Sequence, residues 1–279
     1  MSTSHIESPI EYEVKVGDAT FYQGNCLDVL GQFTSDSVDL IFADPPYNLS
    51  NGGLTCQSGK WVSVDKGAWD KSDGVHADHE FNRMWLSECR RVLKPGGTIW
   101  VSGTQHVAFS VGFAMKELGY HVLNTVTWFK PNASPNLSRR YLTHSTELLV
   151  WAAPERTRPL QHTFNYDEMR RENGGKQMRD VWEFPTPARW EKSSGGHPTQ
   201  KPLAILDRIV RLASKPGELV LDPFCGSGTS GVAAIINGRR FVGIDMEPEF
   251  LRIAERRLQA NELEEASRRL LAMRSRRYK

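Results

Sequence analysis

The segment Leu219-Val220-Leu221-Asp222-Pro223-Phe224-Cys225-Gly226-Ser227-Gly228-Thr229 runs from an apolar, β-branched strand pattern into a glycine loop, and a helical pattern follows at 230–237. Strand, tight loop and helix in that order are the unit of an α/β sheet. Glycines in such a turn allow left-handed backbone angles and close approach of a ligand. Gly226, Gly228 and Gly231 also satisfy GxGxxG, and the next apolar run, 241–244, is followed by Asp245, an acid placed to bind ribose hydroxyls. On this loop alone, a nicotinamide-dependent oxidoreductase stays open beside a plain tight β-to-α turn.

Outward from this loop, strand patterns recur at 19–22, 38–42, 98–102, 122–129 and 148–152. Helical patterns lie at 80–93, 107–118 and 203–213, ending near Gly96-Gly97, Gly119 and Pro216-Gly217, residues that stop helices. From Pro248 a long amphipathic pattern puts Phe250, Leu251, Ile253, Ala254 and Leu258 on one side, with proline suited to the first turn. The alternation predicts one α/β domain over 1–279, largely parallel. Two stretches depart from it. Residues 48–78 are rich in Gly, Ser, Asn and Asp, which predicts a mobile or functional loop. Residues 154–196 are polar, with many Arg and aromatic residues, and are expected as an insertion outside the alternating core.

Composition narrows the class. At 279 residues, 39% apolar and 24% charged, the chain can bury a core and is neither disordered nor a miniature scaffold. Cys26, Cys56, Cys89 and Cys225 form no CxxC pair, so neither a disulfide framework nor a metal site is expected. No apolar run approaches the ~18 residues of a membrane span, and residues 1–9 have neither a basic start nor an apolar core; the expected location is the cytoplasm. Charge is unevenly spread: residues 1–50 hold one Lys against eight acids, whereas 130–211 hold fourteen basic residues against nine acidic ones. The basic part is suited to phosphate.

Two further motifs carry chemistry. Asp44-Pro45-Pro46-Tyr47 follows the strand pattern Val38-Asp39-Leu40-Ile41-Phe42, and the carboxyl end of a strand is where open α/β sheets bind ligands. The prolines remove backbone donors and leave carbonyl acceptors. A carboxylate, a bare carbonyl and an aromatic ring suit a planar amine, which has two hydrogens to donate and a face to stack; the same tetrapeptide also reads as a proline turn ending a strand, with Asp44 capping and Tyr47 packing. His197-Pro198-Thr199-Gln200-Lys201-Pro202 is a rigid polar loop before the 203–213 helix; it reads either as a helix-entry turn or as part of a site.

Together these segments resemble the amino-methylating DNA methyltransferases of the β class, whose methyl-transfer motif precedes the cofactor loop. The resemblance runs from Gly24 to about Arg257: Gly24-Asn25-Cys26-Leu27-Asp28, the Asp44 tetrapeptide, Trp128-Phe129-Lys130-Pro131-Asn132, Asp180-Val181-Trp182, the His197 loop, the Asp222 loop, and Gly243-Ile244-Asp245 with Pro248. It implies a Rossmann-like S-adenosylmethionine-dependent methyltransferase sheet with helices on both faces and a circularly permuted motif order. By this resemblance S-adenosyl-L-methionine is the methyl donor, and the acceptor is adenine N6 in duplex DNA, flipped out of the helix.

Carried over, Asp44 and the Pro45 carbonyl would accept the amine hydrogens, Pro46 would complete the rigid turn and Tyr47 would stack on the base. Asp222, Phe224, Gly226, Ser227, Gly228, Thr229, Thr199 and Lys201 would line the cofactor's methionine half, next to Asp44, with Lys201 meeting its carboxylate. Asp245 would hold the ribose, and Asn25 and Cys26 would border the adenine; the family often has Asp where Asn25 stands. The 154–196 insertion would be the target-recognition region, and Arg139, Arg140, Arg170, Arg171, Lys176, Arg179, Arg189 and Lys192 are the candidate DNA contacts. A homodimer and a cognate restriction endonuclease are expected partners by the family's habit. Cytosine N4 is the rival acceptor, and a non-enzymatic nucleic-acid-binding module the rival class.

Overall fold

Val38-Asp39-Leu40-Ile41-Phe42-Ala43 is apolar at all but one position because both faces of its strand are covered, as buried parallel strands require. The computed structural model describes residues 12–277 apart from 49, 51–53, 58–59 and 64–69. Its strands are β1 (Tyr12–Val16), β2 (Ala19–Gln23), β3 (Val38–Ala43), β4 (Leu54–Gln57), β5 (Lys60–Ser63), β6 (Leu93–Gly103), β7 (His121–Phe129), β8 (Thr146–Ala153), β9 (Val181–Glu183), β10 (Leu219–Asp222) and β11 (Arg240–Asp245). The helices are α1 (Cys26–Leu30), α2 (Val75–Val92), α3 (Gln105–Glu117), α4 (Tyr166–Glu172), α5 (Leu203–Ala213), α6 (Thr229–Ile236), α7 (Pro248–Arg257) and α8 (Ala260–Arg277).

Nine strands form one sheet in the order β1-β2-β11-β10-β3-β6-β8-β7-β9. From β2 to β6 every neighbour is parallel; β8 is antiparallel to both β6 and β7, and β1 to β2. The chain leaves β3 through α2 toward β6 on one side, and leaves β10 through α6 toward β11 on the other. The winding therefore reverses between β3 and β10, and such a switch opens a crevice at the carboxyl ends of the strands.

Alternate residues of each strand serve opposite layers. Leu40, Phe42, Trp100 and Val220 belong to a core with residues of α5, α6 and α7, whereas Ile41, Ala43, Ile99 and Leu221 belong to one with residues of α1, α2 and α3. Helices thus cover both faces. Gly231 and Gly243 allow the layers to close: a Cβ on either would lie 2.8 Å from the Phe241 ring.

Two expectations change. Residues 154–196 are not outside the core: they supply β9, and Met169, Trp182 and Phe184 are buried in the main cluster. Trp182 stacks on Trp100 at 5.6 Å, and the Arg208 guanidinium lies 4.5 Å from the Phe184 ring, so Trp182 and Phe184 complete the sheet's covered face. The helix expected from Pro248 forms as α7, which ends at Arg257, and α8 follows from Ala260, with Arg274 bonded to Asp207 on α5. Finally, 48–78 contains the antiparallel pair β4–β5 and the first four residues of α2; the expectation of a mobile loop falls partly on 49, 51–53, 58–59 and 64–69, outside the described residues.

Candidate active site

The ends of β2, β11, β10 and β3 bring Gly24, Asp245, Asp222 and Asp44 to one rim, around a cavity of about 530 Å³. The cavity wall includes Asn25, Cys26, Asp44, Pro45, Pro46, Tyr47, Thr199, Lys201, Asp222, Phe224, Gly226, Ser227, Thr229 and Asp245. Of the expected cofactor residues, Gly228 alone is not part of that wall. It caps α6 with φ +72°, and a Cβ there would lie 2.6 Å from the Ala254 Cβ, so its glycine is needed for packing α7 against the turn.

The glycine loop is tied from several sides. Asp222 accepts from the Phe224 amide at 3.0 Å and from the Ser230 hydroxyl at 2.5 Å, and burial pushes its carboxyl up to about 7. Asp245 accepts from the Gly226 and Glu247 amides at 2.8 and 2.9 Å; burial pushes its carboxyl up to about 6, although those amides pull the other way. Arg257, buried on α7, donates to the Ser227 carbonyl at 2.7 Å and to the Thr229 hydroxyl at 2.9 Å. Gln200 accepts from the Ser227 hydroxyl at 3.2 Å and donates to the Glu191 carbonyl at 2.7 Å. Ser227 and Thr229 are thus held from behind the loop.

At the catalytic corner, Asp44 is paired through both oxygens. One accepts from the Tyr47 hydroxyl at 2.8 Å and the other from the Lys201 ammonium at 2.6 Å. Lys201 also lies 3.7 Å from Glu147, which accepts from Lys130 at 3.1 Å. The Tyr47 hydroxyl meets Ser102 Oγ at 2.8 Å and donates toward Glu147 at 3.3 Å. Burial works against the Lys201 ammonium, but Asp44 and Glu147 outweigh it and its pKa is raised; burial likewise opposes the Glu147 carboxylate, but Lys201 and Lys130 hold it below the ordinary value. Burial, then Asp44 and Glu147, keep Tyr47 protonated far into the alkaline range. The Pro45 carbonyl accepts no hydrogen bond among the described residues, as a substrate-facing acceptor requires.

Two roles expected from the sequence find a different geometry. Lys201 is directed to Asp44 and Glu147, not left free for a cofactor carboxylate. Tyr47 is 6% exposed, its ring 5.1 Å from the Lys201 ammonium and its hydroxyl spent in the polar cluster, so it is not an open stacking face. The amide of Tyr47 is fixed by Asp70, buried, at 3.0 Å. Glu147, Ser102, Arg257 and Asp70 were not singled out by sequence reasoning. A charged residue on an apolar face was the available signal for Arg257, and a lone acid opening the apolar run at 148–152 for Glu147.

The candidate DNA contacts are all exposed but stand on separate elements: Arg139 and Arg140 on the loop between β7 and β8, Arg170 and Arg171 on α4 with Lys176 and Arg179 after it, and Arg189 and Lys192 on a 3-10 turn. Asn165 at the start of α4 bonds the carbonyls of Arg211 and Ser214 at the far end of α5.

A Rossmann-like sheet with an acid-rimmed crevice at its switch point, and an Asp-Pro-Pro-Tyr turn on the crevice's lip, defines an amino-group methyltransferase. The DNA methylase family profile matches residues 38–256. The chain is 51% identical over 231 residues to the Type II methyltransferase M2.DpnII of Streptococcus pneumoniae, covering 83% of this chain and 86% of that protein. It is 48% identical over 236 residues to M2.MboI of Moraxella bovis, covering 85% and 86%. The crystal structure of the M1.HpyAVI-SAM complex superposes with a TM-score of 0.65 at 25% identity, over 86% of this chain and 99% of that one. The protein belongs to the DNA methylase family that modifies exocyclic amines at N6 or N4, and its cofactor is S-adenosylmethionine.

The cavity fits that cofactor. Its volume is within the ligand range, its acidic rim suits a sulfonium cation and ribose hydroxyls, and Gly226, at φ +49°, brings the loop backbone to within reach of His197 where a Cβ would lie 3.2 Å from the ring. Asp245 would hold the ribose, with Asn25 and Cys26 beside the adenine. With its pKa near 6, Asp245 is an ionised acceptor above that pH and gains a proton below it. Calorimetry with S-adenosylhomocysteine is expected to show affinity falling as pH drops through about 6, by no more than about tenfold per unit, with Asp245→Asn weaker at pH 8 and without the part of that fall that Asp245 contributes.

Proposed function

We propose that this enzyme transfers a methyl group to the N6 amine of adenine in duplex DNA, at a specific sequence, in the cytoplasm and within a restriction-modification system. The observation that carries this reading is that Asp44 and Pro45, adjacent in the chain, both line the cofactor cavity, with Asp44 fixed by Tyr47 and Lys201. A carboxylate and a carbonyl without a hydrogen bond among the described residues match the two hydrogens of a nucleobase amine. Drawing those hydrogens toward Asp44 and Pro45 takes the nitrogen out of conjugation with the ring and turns its lone pair toward the methyl donor. The bound cofactor supplies the activated methyl. Once the nitrogen is methylated it sheds one proton, for which Asp44 is the nearest base; Lys201 and Tyr47 hold that carboxylate in place throughout.

The target base must leave the duplex to reach this pocket, and the exposed basic residues of 139–192 support binding to the phosphates around it. The Type II names of the relatives support a partner endonuclease, and a homodimer stands as the expected assembly. Expressing the protein in a methylation-free host and mapping modified bases by long-read sequencing tests the function. N6-methyladenine at one sequence is expected; N4-methylcytosine alone, or unmodified DNA, overturns it. Alanine at Arg170, Arg171, Lys176 and Arg179 is expected to leave folding intact, since all four are exposed, and to flatten the salt dependence of DNA binding by about one unit of slope for each phosphate no longer neutralised. An unchanged slope would remove this segment from the DNA interface.

A further inference from the structure

The loop 130–145 joins β7 to β8 at the sheet edge that carries the active site. It is rooted in the catalytic corner: Phe129 pairs with Thr146, the Lys130 amide donates to the Ser145 carbonyl at 2.7 Å, and Lys130 and Glu147 form the ion pair that reaches Tyr47 and Lys201. At its tip, Arg139-Arg140-Tyr141-Leu142 faces solvent. Leu142 is 89% exposed, more than any other large apolar residue among those described, and Tyr141 is 58% exposed.

The tip is held in a set shape. Asn136 receives hydrogen bonds from the amide and hydroxyl of Ser138 at 2.9 and 2.7 Å, and donates to the Tyr141 carbonyl at 2.6 Å. The Tyr141 ring rests 5.4 Å from that of His144, and Arg139 takes a left-handed φ of +54°, a conformation unusual for a residue with a side chain. Neither Arg139 nor Arg140 has a carboxylate within ion-pair distance among the described residues, while Lys15, Arg83, Arg91 and Lys94 do.

A braced loop that presents two apolar side chains beside two unpaired arginines matches one chemistry: a stacked, polyanionic duplex from which a base has been removed. We propose that Tyr141 and Leu142 form the wedge that enters the duplex at the site of the flipped base, with Arg139 and Arg140 on the flanking phosphates. The proposal rests on the DNA-methylating function above. Apolar wedges inserted between base steps offset the loss of stacking, and the cost of extrusion is least where the target is already unpaired. Rooting the wedge on Lys130 and Glu147 joins the loop to the catalytic corner through Tyr47 and Lys201.

The test uses the sequence that the wild-type enzyme modifies in unmethylated plasmid DNA, built into two synthetic duplexes, one fully paired and one with the target base mismatched. For the double variant Tyr141→Ala with Leu142→Ala, kcat/KM on the paired duplex is expected to fall about tenfold or more, and the mismatched duplex to restore it to within about threefold of the wild type. S-adenosylhomocysteine affinity stays unchanged, which reports an intact fold. Fluorescence of 2-aminopurine at the target position is expected to rise on binding the wild type and not the variant. Equal activity of variant and wild type on the paired duplex overturns the wedge alone, as does a loss that the mismatch fails to restore. A wild type that modifies no sequence in the plasmid overturns the functional reading and the wedge with it.

Discussion

Asp44→Ala is expected to slow methyl transfer by at least about 10²- to 10³-fold, the scale of removing a group that acts on charge developing in a transition state, while S-adenosylhomocysteine still binds within about threefold of the wild type. Asp44 touches the cofactor cavity but is committed to Tyr47 and Lys201, so its loss falls on the amine and not on the donor. The alanine also leaves the buried Lys201 ammonium with Glu147 at 3.7 Å as its remaining carboxylate. Asp44→Asn preserves the shape and separates the two effects: a melting temperature restored by Asn with turnover still lost assigns the defect to chemistry. Mass spectrometry of digested DNA and calorimetry measure the two halves, and full activity in Asp44→Ala would falsify the assignment of this carboxylate.

Glu147→Gln is expected to lower kcat by about 10- to 100-fold with little change in cofactor affinity. Glu147 shares Lys201 with Asp44 and takes part of the Tyr47 hydroxyl. Without its charge the ammonium bears on Asp44 alone, and a carboxylate held harder by a cation is a poorer acceptor for the amine. A linked stability effect has a definite sign. Because the folded pKa of Glu147 lies below its ordinary 4.5, the ionised carboxylate stabilises the fold above that value, and the contribution is lost as pH falls through the lowered folded value. The wild type should therefore lose melting temperature on acidification below about 4.5 more steeply than Glu147→Gln. Unchanged kcat together with parallel acid limbs would show that Glu147 does neither.

Reading the sequence found what is contiguous. β3, β10 and β11 are short β-branched runs ended by acids or turns, and α5 fills 203–213 as its apolar period required. The Asp44 turn and the glycine loop each lie within a few residues, so their chemistry was visible. β1 was missed because Glu13 and Lys15 break an edge strand into a polar pattern, and β9 because three residues are too few for any period. The break between α7 and α8 has neither glycine nor proline to mark it in the sequence. Glu147, Ser102 and Asp70 belong to the site only through pairings across long stretches of chain. The oxidoreductase suggested by GxGxxG failed for a related reason: Gly228 and Gly231 are needed by Ala254 and Phe241, tertiary neighbours that no local pattern names.

The strand order also fixes when the molecule can first work. β2 and β3 are near neighbours in the chain, yet in the sheet β11 and β10 lie between them, and the Leu219 amide meets the Asp39 carboxylate across 180 residues. A chain still on the ribosome can pair β3 with β6, β8 and β7, but β2 has no partner in the parallel sheet until the last strands emerge and fill the gap. Such late, distant closures make folding slow. The glycine loop and Asp245 follow those two strands, whereas Gly24 and Asp44 follow β2 and β3, so the catalytic tetrapeptide faces a complete cofactor crevice only once β10 and β11 are in place.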